Sequence, residues 1–128
     1  MSVLGVGVDL LRIDRIRSIL DGSAAAGYMA STFTDQETAA ARRAGDPAVA
    51  FATRFAIKEA VFKSLGTSFQ DGDLLRDIEV HEERTGAPYV TLSGRFGALL
   101  DELGAPAPLV SVSYEDDHVV AVAVLHAR

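Results

Sequence analysis

The sequence predicts one domain, residues 1–128, that combines α-helices with β-strands, and three observations lead to this prediction. Val3–Leu10 is a run of apolar and β-branched residues typical of a strand. Asp46 and Pro47 provide an N-cap and a first helical residue, and Gly66 ends a stretch of about five turns without glycine or proline. The C-terminal half contains two pairs of apolar runs joined by turns, the pattern of β-hairpins.

The shorter elements follow from the same rules. Thr34 and Glu37 form a capping box, which explains Glu37 without any chemistry and predicts a helix to about Ala44. The other predicted helices are Leu10–Asp21 and Arg95–Leu103, and the other predicted strands are Asp77–His81, Tyr89–Leu92, Leu109–Ser113 and Val119–Leu125. Tyr28–Phe33 has a mixed pattern and receives neither assignment.

The composition excludes several classes of protein. Lys and Arg number 12 against 18 Asp and Glu, a net charge of −6, whereas a nucleic-acid-binding domain carries a basic surface. No apolar run approaches the length of about 18 residues that predicts a membrane span. The N-terminus lacks the basic start of a signal peptide, and without cysteine there is no disulfide or thiolate site. We therefore expect a cytoplasmic protein that binds neither nucleic acid nor membrane.

The long helix carries charges where its surroundings should be apolar. On a helical wheel its apolar arc contains Phe51, Phe55, Val61, Phe62 and Leu65. Arg54 and Lys58 fall inside this arc, while Glu59 and Lys63 lie at the edge of a second face made of alanines. A surface helix keeps its charges away from its apolar face, and buried charges need partners. The pattern therefore favours a functional site on this helix.

A purely structural interpretation of these charges is also open. Glu59 and Lys63 are four residues apart and can form an ordinary helix ion pair worth about 0.2–0.5 kcal/mol. Arg54 and Lys58 can extend their charged ends from an apolar stripe to water. Under this interpretation the chain is an interaction module, and Glu59→Ala changes only its stability.

Two features outside the long helix also have two interpretations. Gly5 and Gly7 allow another backbone or a ligand to approach the first strand. Asp9 ends that apolar run and is either the N-cap of the next helix or a metal ligand. In that helix Arg15 and Ile19 lie on a face beside the inward apolar stripe. The structural interpretation of this face is a basic surface in contact with solvent.

The long helix resembles the signature of a known family. The stretch Arg54-Phe55-Ala56-Ile57-Lys58-Glu59-Ala60-Val61-Phe62-Lys63, followed by Ser64-Leu65-Gly66, is similar to that of the holo-[acyl-carrier-protein] synthases, the short single-domain class of 4′-phosphopantetheinyl transferases. Gly5-Val6-Gly7-Val8-Asp9 matches the opening of that family, and its hairpin is matched by Asp77-Ile78-Glu79-Val80, Gly86, Pro88 and Gly94. The resemblance covers nearly the whole chain.

The resemblance implies a fold and an assembly. The fold is an α+β domain in which an antiparallel sheet packs against one long central helix, accompanied by shorter helices. Members of the family assemble as homotrimers with active sites between subunits, and the Gly86–Pro88 turn reaches the coenzyme A site of a neighbouring subunit.

The resemblance also implies an activity and a set of site residues. The family transfers the 4′-phosphopantetheine arm of coenzyme A to a serine of an apo acyl carrier protein, with Mg²⁺ as cofactor, and releases adenosine 3′,5′-bisphosphate. Asp9 and Glu59 would bind Mg²⁺, which prefers hard oxygen ligands. Glu59 would activate the serine, directly or through a metal-bound water, and Lys63 would neutralise the phosphates and protonate the leaving group.

Further residues would bind the two substrates. Coenzyme A and its phosphates would be contacted by Arg54, Lys58, Lys63, Gly66, Gly86 and Pro88. Arg15 and Ile19 would dock the acyl carrier protein, although the net charge of −6 requires a local basic patch for an acidic partner. The carrier is one of fatty acid biosynthesis, and hence of lipid metabolism, or one of polyketide assembly, and the residues do not distinguish these.

One position departs from the family pattern. Tyr114 stands where the family has a histidine near the coenzyme A site, and tyrosine does not carry protons near neutral pH without a large pKa shift. An alternative function is therefore a diverged relative that binds coenzyme A or a carrier protein with little or no transfer.

Overall fold

The computed structural model describes residues 2–128, in which five helices, five strands and one 3₁₀ turn are found. The helices are α1 (Ile13–Leu20), α2 (Ala25–Thr32), α3 (Asp35–Arg42), α4 (Pro47–Ser64) and α5 (Gly94–Leu103), and the turn is Leu75–Asp77. The strands are β1 (Val3–Arg12), β2 (Ile78–Glu82), β3 (Pro88–Leu92), β4 (Leu109–Glu115) and β5 (His118–His126).

All strand pairings are antiparallel, as expected, but the strands form two sheets. β5 lies between β1 and β4 in a three-stranded sheet, and β2 pairs only with β3 in a separate hairpin. Helix α4 packs across β1 and β5, and the buried core lies between them. The prediction of a long helix against an antiparallel sheet is confirmed.

The long helix begins and ends where its sequence predicts. The Asp46 side chain accepts hydrogen bonds from the backbone N–H groups of Ala48 (3.1 Å) and Val49 (3.5 Å). Pro47 is the first helical residue, where its missing N–H costs no hydrogen bond. Gly66 has φ of 68°, a conformation that ends the helix and that residues with a side chain rarely adopt.

Helix α4 lies almost against the backbone of β1. A Cβ atom added to Gly7 would lie 1.8 Å from the carbonyl oxygen of Ala60, and one added to Gly5 would lie 2.1 Å from that of Ser64. The alanine face predicted for α4 is fully buried at this contact, with Ala56 and Ala60 at 0% exposure. The close approach is therefore to another backbone, and it places the end of β1 beside the last two turns of α4.

The first strand is longer than predicted. Pairing with β5 continues through Asp9, opposite Ala121, to Arg12, opposite His118. Asp9 therefore does not end the strand, and the interpretation of Asp9 as an N-cap is wrong because the N-cap position of α1 is Arg12. The predicted strand is too short because a single acid interrupts the apolar sequence pattern, whereas the pairing with β5 continues beyond that acid.

The segment Tyr28–Phe33, which received no assignment, contributes most of helix α2, and the helix begins earlier, at Ala25. Its alanines, serine and glycine carry little periodic hydrophobic signal, and only Met29 and Thr32 become buried. In contrast, the capping box at the start of α3 is confirmed by reciprocal hydrogen bonds between Thr34 and Glu37.

The outer face of the three-stranded sheet is apolar and uncovered. Val6, Val8 and Leu10 of β1 are 58%, 51% and 69% exposed, and Val120 and Val122 stand opposite them on β5. Large apolar side chains gathered on one face mark an interaction site more often than chance exposure does. Separately, none of the helices found within residues 2–128 has the length and hydrophobicity to cross a membrane.

Candidate active site

The carboxylate of Asp9 lies at the contact between β1 and α4, and only one of its two oxygens is hydrogen-bonded within residues 2–128. Its side chain is 14% exposed, and its Oδ1 atom accepts a hydrogen bond of 3.2 Å from Lys63 Nζ. Its Oδ2 atom is buried and has no hydrogen-bond partner among residues 2–128. A buried oxygen without a donor is costly, so this atom is available to a ligand.

Lys63 faces Asp9 instead of Glu59. Its Nζ atom also donates to the backbone carbonyl of Val8 at 2.9 Å, and its side chain remains 49% exposed. No ion pair joins Glu59 to Lys63 within the described part of the chain, so the ordinary helix ion pair expected from their spacing is absent. The ammonium of Lys63 is therefore tied to β1 while one side of it stays open to solvent.

Glu59 is a half-buried carboxylate that accepts no hydrogen bond from any residue between 2 and 128. Its pKa is raised, first by burial and then by the negative charge of Asp9. Lys63 and Arg15 act in the opposite direction. A carboxylate whose pKa is raised by a second carboxylate beside it is arranged to share a cation or a proton with that neighbour.

Asp9, Glu59 and Lys63 form a corner between β1 and α4, and its carboxylate oxygens are ligands that suit a hard divalent cation. The two carboxylates of Asp9 and Glu59 influence each other electrostatically, and the buried Oδ2 of Asp9 is unpartnered within the described residues. No cluster of three or more His, Cys, Asp or Glu side chains suited to a metal occurs in residues 2–128. A cation held by only two carboxylates, with its other positions left to waters and substrate phosphates, is the arrangement Mg²⁺ prefers.

Lys58 is not part of this corner, and its prediction as a phosphate ligand is wrong. Its side chain is 0% exposed, and Nζ donates to Glu37 Oε1 at 2.7 Å and to the carbonyls of Leu75 and Ile78. Burial lowers the pKa of Lys58, and Glu37 opposes that change. With three acceptors filled and no exposed surface, the ammonium has no donor left for a phosphate.

Glu37 does more than cap its helix. Besides closing the capping box, it accepts a hydrogen bond from the ammonium of Lys58 and one of 2.8 Å from the backbone N–H of Val80. It therefore joins α3, α4 and β2 at one buried point. The capping motif was visible in the sequence, but the partners at 58 and 80 lie too far along the chain to be inferred from it.

Arg54 also lies on α4, on the N-terminal side of Glu59 and Lys63. It is 8% exposed, and it donates to the carbonyl of Ala50 at 3.1 Å and to Glu82 at 3.2 Å. Its Nε atom is buried and unpartnered among residues 2–128. A surface groove is lined by Arg54 together with Arg43, Thr53 and Tyr114, among others. Arg54 is five residues before Glu59, or about 7.5 Å along the helix axis.

The predicted hairpin residues lie near Arg54. Pro88 begins β3 opposite Glu82, which bonds Arg54. Gly86 has φ of 89° in the connecting turn, so the glycine is required for the turn itself. The single chain thus places Pro88 next to Glu82, which lines the groove, and Gly86 in the turn that precedes Pro88.

The loop after Gly66 is held down by one residue of α5. Arg95 makes three hydrogen bonds to the Asp73 carboxylate, one to the Thr67 hydroxyl at 3.1 Å and one to the Ser68 carbonyl at 2.9 Å. Gly66 therefore stands between the end of α4 and an anchored loop, three residues beyond Lys63.

Helix α1 presents the two predicted docking residues. Arg15 is exposed and Ile19 is half-buried, one turn apart on the same helix. The charge of Arg15 acts on both Glu59 and Tyr28, so this helix borders the carboxylate corner. Tyr28 is a polar neighbour of the site that the sequence did not indicate, because nothing in the pattern around it distinguishes a buried hydroxyl from an exposed one.

Comparison with known proteins places this arrangement in a family. Residues 5–123 match the family model described as the 4′-phosphopantetheinyl transferase superfamily. The chain therefore belongs to this superfamily of transferases, as the resemblance of its long helix predicts.

Individual relatives agree over nearly their whole length. A holo-[acyl-carrier-protein] synthase of Zymomonas mobilis is 37% identical over 124 residues, which cover 94% of this chain and 92% of the relative. The crystal structure of a holo-[acyl-carrier-protein] synthase from Neisseria meningitidis superposes with a TM-score of 0.83 at 30% identity, covering 97% of this chain and 98% of that one. An ACPS–CoA complex from Chronobacterium ammoniagenes has the same TM-score at 27% identity, with 97% of both chains covered. These structures confirm the α+β fold.

Proposed function

We propose that the protein transfers the 4′-phosphopantetheine arm of coenzyme A to a serine of an apo acyl carrier protein and releases adenosine 3′,5′-bisphosphate. The observation that carries this proposal is the corner of Asp9, Glu59 and Lys63. Within residues 2–128, Oδ2 of Asp9 and the Glu59 carboxylate accept no hydrogen bond, while the Lys63 ammonium that binds Oδ1 of Asp9 stays half-exposed. Family membership and the relatives named as holo-[acyl-carrier-protein] synthases support the same reaction.

The proposed chemistry is a displacement at phosphorus. The serine oxygen forms a bond to the pantetheine phosphorus, and the bond from that phosphorus to the leaving phosphate oxygen breaks. Glu59 takes the proton of the serine hydroxyl, a role for which its raised pKa suits it. Lys63 neutralises charge on the leaving oxygen and supplies a proton to it.

Asp9 and Glu59 would hold Mg²⁺. When bound, the ion would offset the negative charge of the diphosphate. Lys63 keeps Asp9 oriented through Oδ1 and leaves Oδ2 free for this purpose. Gly66, at the end of the same helix, is proposed to bring its backbone close to a phosphate.

The remainder of coenzyme A would lie along α4 towards Arg54. Arg54 and Arg43 supply positive charge to the groove there, and the turn of Gly86 and Pro88 is proposed to contact coenzyme A bound to a neighbouring subunit. Tyr114 lines the same groove and is 62% exposed. We propose that it contacts coenzyme A through its ring and hydroxyl group, without carrying a proton.

The acyl carrier protein would dock on α1. Arg15 is exposed next to the corner, and a local positive charge is needed because the chain as a whole carries −6. Ile19 offers an apolar contact one turn away. We expect Arg15→Glu to raise the KM for the carrier while leaving the KM for coenzyme A unchanged, with Arg42→Glu on α3 as a control of equal charge change.

We further propose that the protein is a homotrimer whose active sites lie between subunits. The apolar outer face of the β1–β5–β4 sheet would be covered by the other copies, since a monomer would expose it to water. Light scattering should report three copies of the 13.6 kDa chain. Val122→Lys should release monomers, whereas Leu103→Lys, on the 46%-exposed Leu103 of α5, should not.

The experiment that tests the function is the intact mass of an apo acyl carrier protein after incubation with the protein, coenzyme A and Mg²⁺. Carriers of fatty acid and of polyketide assembly are both offered, in the cytoplasmic conditions where we expect the protein to act. The expected result is a gain of one phosphopantetheine that disappears with a chelator and in Asp9→Asn and Glu59→Gln. Asp101→Asn and Glu102→Gln, exposed on α5, are the matched controls.

A second candidate function is favoured by Tyr114. In a diverged relative that only binds, coenzyme A would bind but no carrier would gain mass. Restoring the histidine with Tyr114→His would then be the variant expected to recover transfer.

A further inference from the structure

Helix α2 places a hydroxyl group with no partner at the edge of the carboxylate corner. The Oη atom of Tyr28 is buried and makes no hydrogen bond within residues 2–128. The ring is held by Phe33, at 6.0 Å between centroids in an edge-on contact, and by Phe55, at 6.2 Å. The ring position is thus set by aromatic packing, while the hydroxyl is left unsatisfied, which costs free energy of folding.

Glu59 approaches the same place from α4. Phe55 and Glu59 are one turn apart on one face of the helix. Side chains on a helix lean towards its N-terminus, so the carboxylate of Glu59 extends over the turn that carries Phe55, against which Tyr28 packs. Consistent with this, burial and then the charge of Glu59 raise the pKa of Tyr28, against the effect of Arg15.

The Tyr28 hydroxyl, a donor without an acceptor among residues 2–128, therefore lies near the Glu59 carboxylate, which accepts no hydrogen bond from those residues. We propose that Tyr28 is a positioning residue whose hydroxyl donates a hydrogen bond to one carboxylate oxygen of Glu59 when the site is loaded. This proposal rests on the proposed function, in which Glu59 is the base. The half-buried Glu59 side chain is free to turn towards the hydroxyl, since its carboxylate has no hydrogen bond to break within the described chain.

The hydrogen bond would give the two carboxylate oxygens of Glu59 different roles. With one oxygen held by Tyr28, the other is directed towards Asp9 and the serine. A base held by a fixed donor loses less orientational freedom at each turnover. Removal of such a supporting group from a site of this kind typically lowers activity by about 10- to 100-fold.

Tyr28→Phe tests the proposal because it removes the hydroxyl and keeps the ring. We expect kcat to fall about tenfold, while the KM values for coenzyme A and for the carrier change by less than about twofold. The melting temperature should stay the same or rise, since the variant no longer buries an unpaired hydroxyl. A purely structural tyrosine would give the same melting temperature change with an unaltered kcat, and that result overturns the proposal.

Tyr89→Phe is the matched control. Tyr89 is 42% exposed and stacks on His81, with 4.9 Å between ring centroids. Its loss of a hydroxyl should leave kcat unchanged.

A crystal structure with coenzyme A and Mg²⁺ provides a test that does not depend on turnover. A distance of about 2.6–2.8 Å between Tyr28 Oη and a Glu59 carboxylate oxygen supports the proposal. A hydroxyl that remains unpaired, or that bonds another group, overturns it even if the protein transfers phosphopantetheine. Failure of the proposed function would instead appear as no transfer by the unmodified protein.

Discussion

Lys58 and Glu59 are neighbours in sequence and have opposite environments. Lys58 is completely buried, with three acceptors around its ammonium, and Glu59 is half-buried with no hydrogen bond to the described residues. Successive residues on a helix point about 100° apart, so one faces the β2–α3 side of the core and the other faces β1 and α1. The buried charge that has its partners therefore belongs to the core, whereas the carboxylate without a hydrogen bond is available for chemistry.

The largest expected effect is on activity at the unsatisfied position. Glu59→Gln removes the base and one of the two proposed Mg²⁺ ligands, so we expect kcat/KM for carrier modification to fall by about 10²- to 10⁴-fold. The amide has nearly the same shape, and the free energy of unfolding should not decrease. Equal transfer rates for Glu59→Gln and the control Glu102→Gln would remove Glu59 from the mechanism.

At the satisfied position the effect should be on stability. Lys58→Met leaves Glu37 as an uncompensated buried charge, which costs about 3–5 kcal/mol of unfolding free energy in urea denaturation. Arg17→Met, which breaks the exposed ion pair of Arg17 with Asp46 (2.7 Å), should have a much smaller effect on stability, because water screens that pair. If Lys58→Met instead keeps its stability and raises the KM for coenzyme A, the assignment of Lys58 to the core is wrong.

Gly7→Ala tests the contact that brings the two regions together. The new methyl group would lie 1.8 Å from the carbonyl oxygen of Ala60, so β1 must move away from α4. We expect a loss of about 1–3 kcal/mol in stability and a lower transfer rate, because Asp9 moves with the strand. The control is Gly27→Ala in α2, where a Cβ meets nothing within 4 Å and alanine favours the helix. Equal stability for the two variants would contradict the close contact.

The smallest expected effect is the pH dependence of stability contributed by Glu59. Its pKa in the folded protein is above the ordinary value of 4.5, so the folded state binds this proton more tightly than the unfolded state. The contribution of Glu59 therefore favours folding below pH 4.5 and is lost as the pH rises through its folded pKa.

Without Mg²⁺, Glu59→Gln should consequently be more stable than the unmodified protein at pH 7, and the difference should disappear by about pH 4. Melting curves of both proteins across this range measure it. A Glu59→Gln variant that is the less stable protein at pH 7 would mean that the carboxylate already has a favourable partner.

Features that depend only on residues close together in the chain could be predicted from the sequence. The cap at Asp46, the capping box at Thr34, the stop at Gly66 and the two hairpins are local, and the structure confirms them. The signature from Arg54 to Gly66 also identified the family, because it is one continuous stretch.

Which charges have hydrogen-bond partners could not be predicted from the sequence, because it depends on the packing of distant segments. Lys63 could be paired with Glu59 from its spacing, yet it bonds Asp9, which is 54 residues away. Lys58 is separated by 21 residues from Glu37, and nothing in the sequence indicates that these two residues pair. Whether a charge is bonded or free depends on which strand or helix packs against it. That choice is made by the core as a whole, through contacts such as those of Gly5 and Gly7 with the backbone of α4.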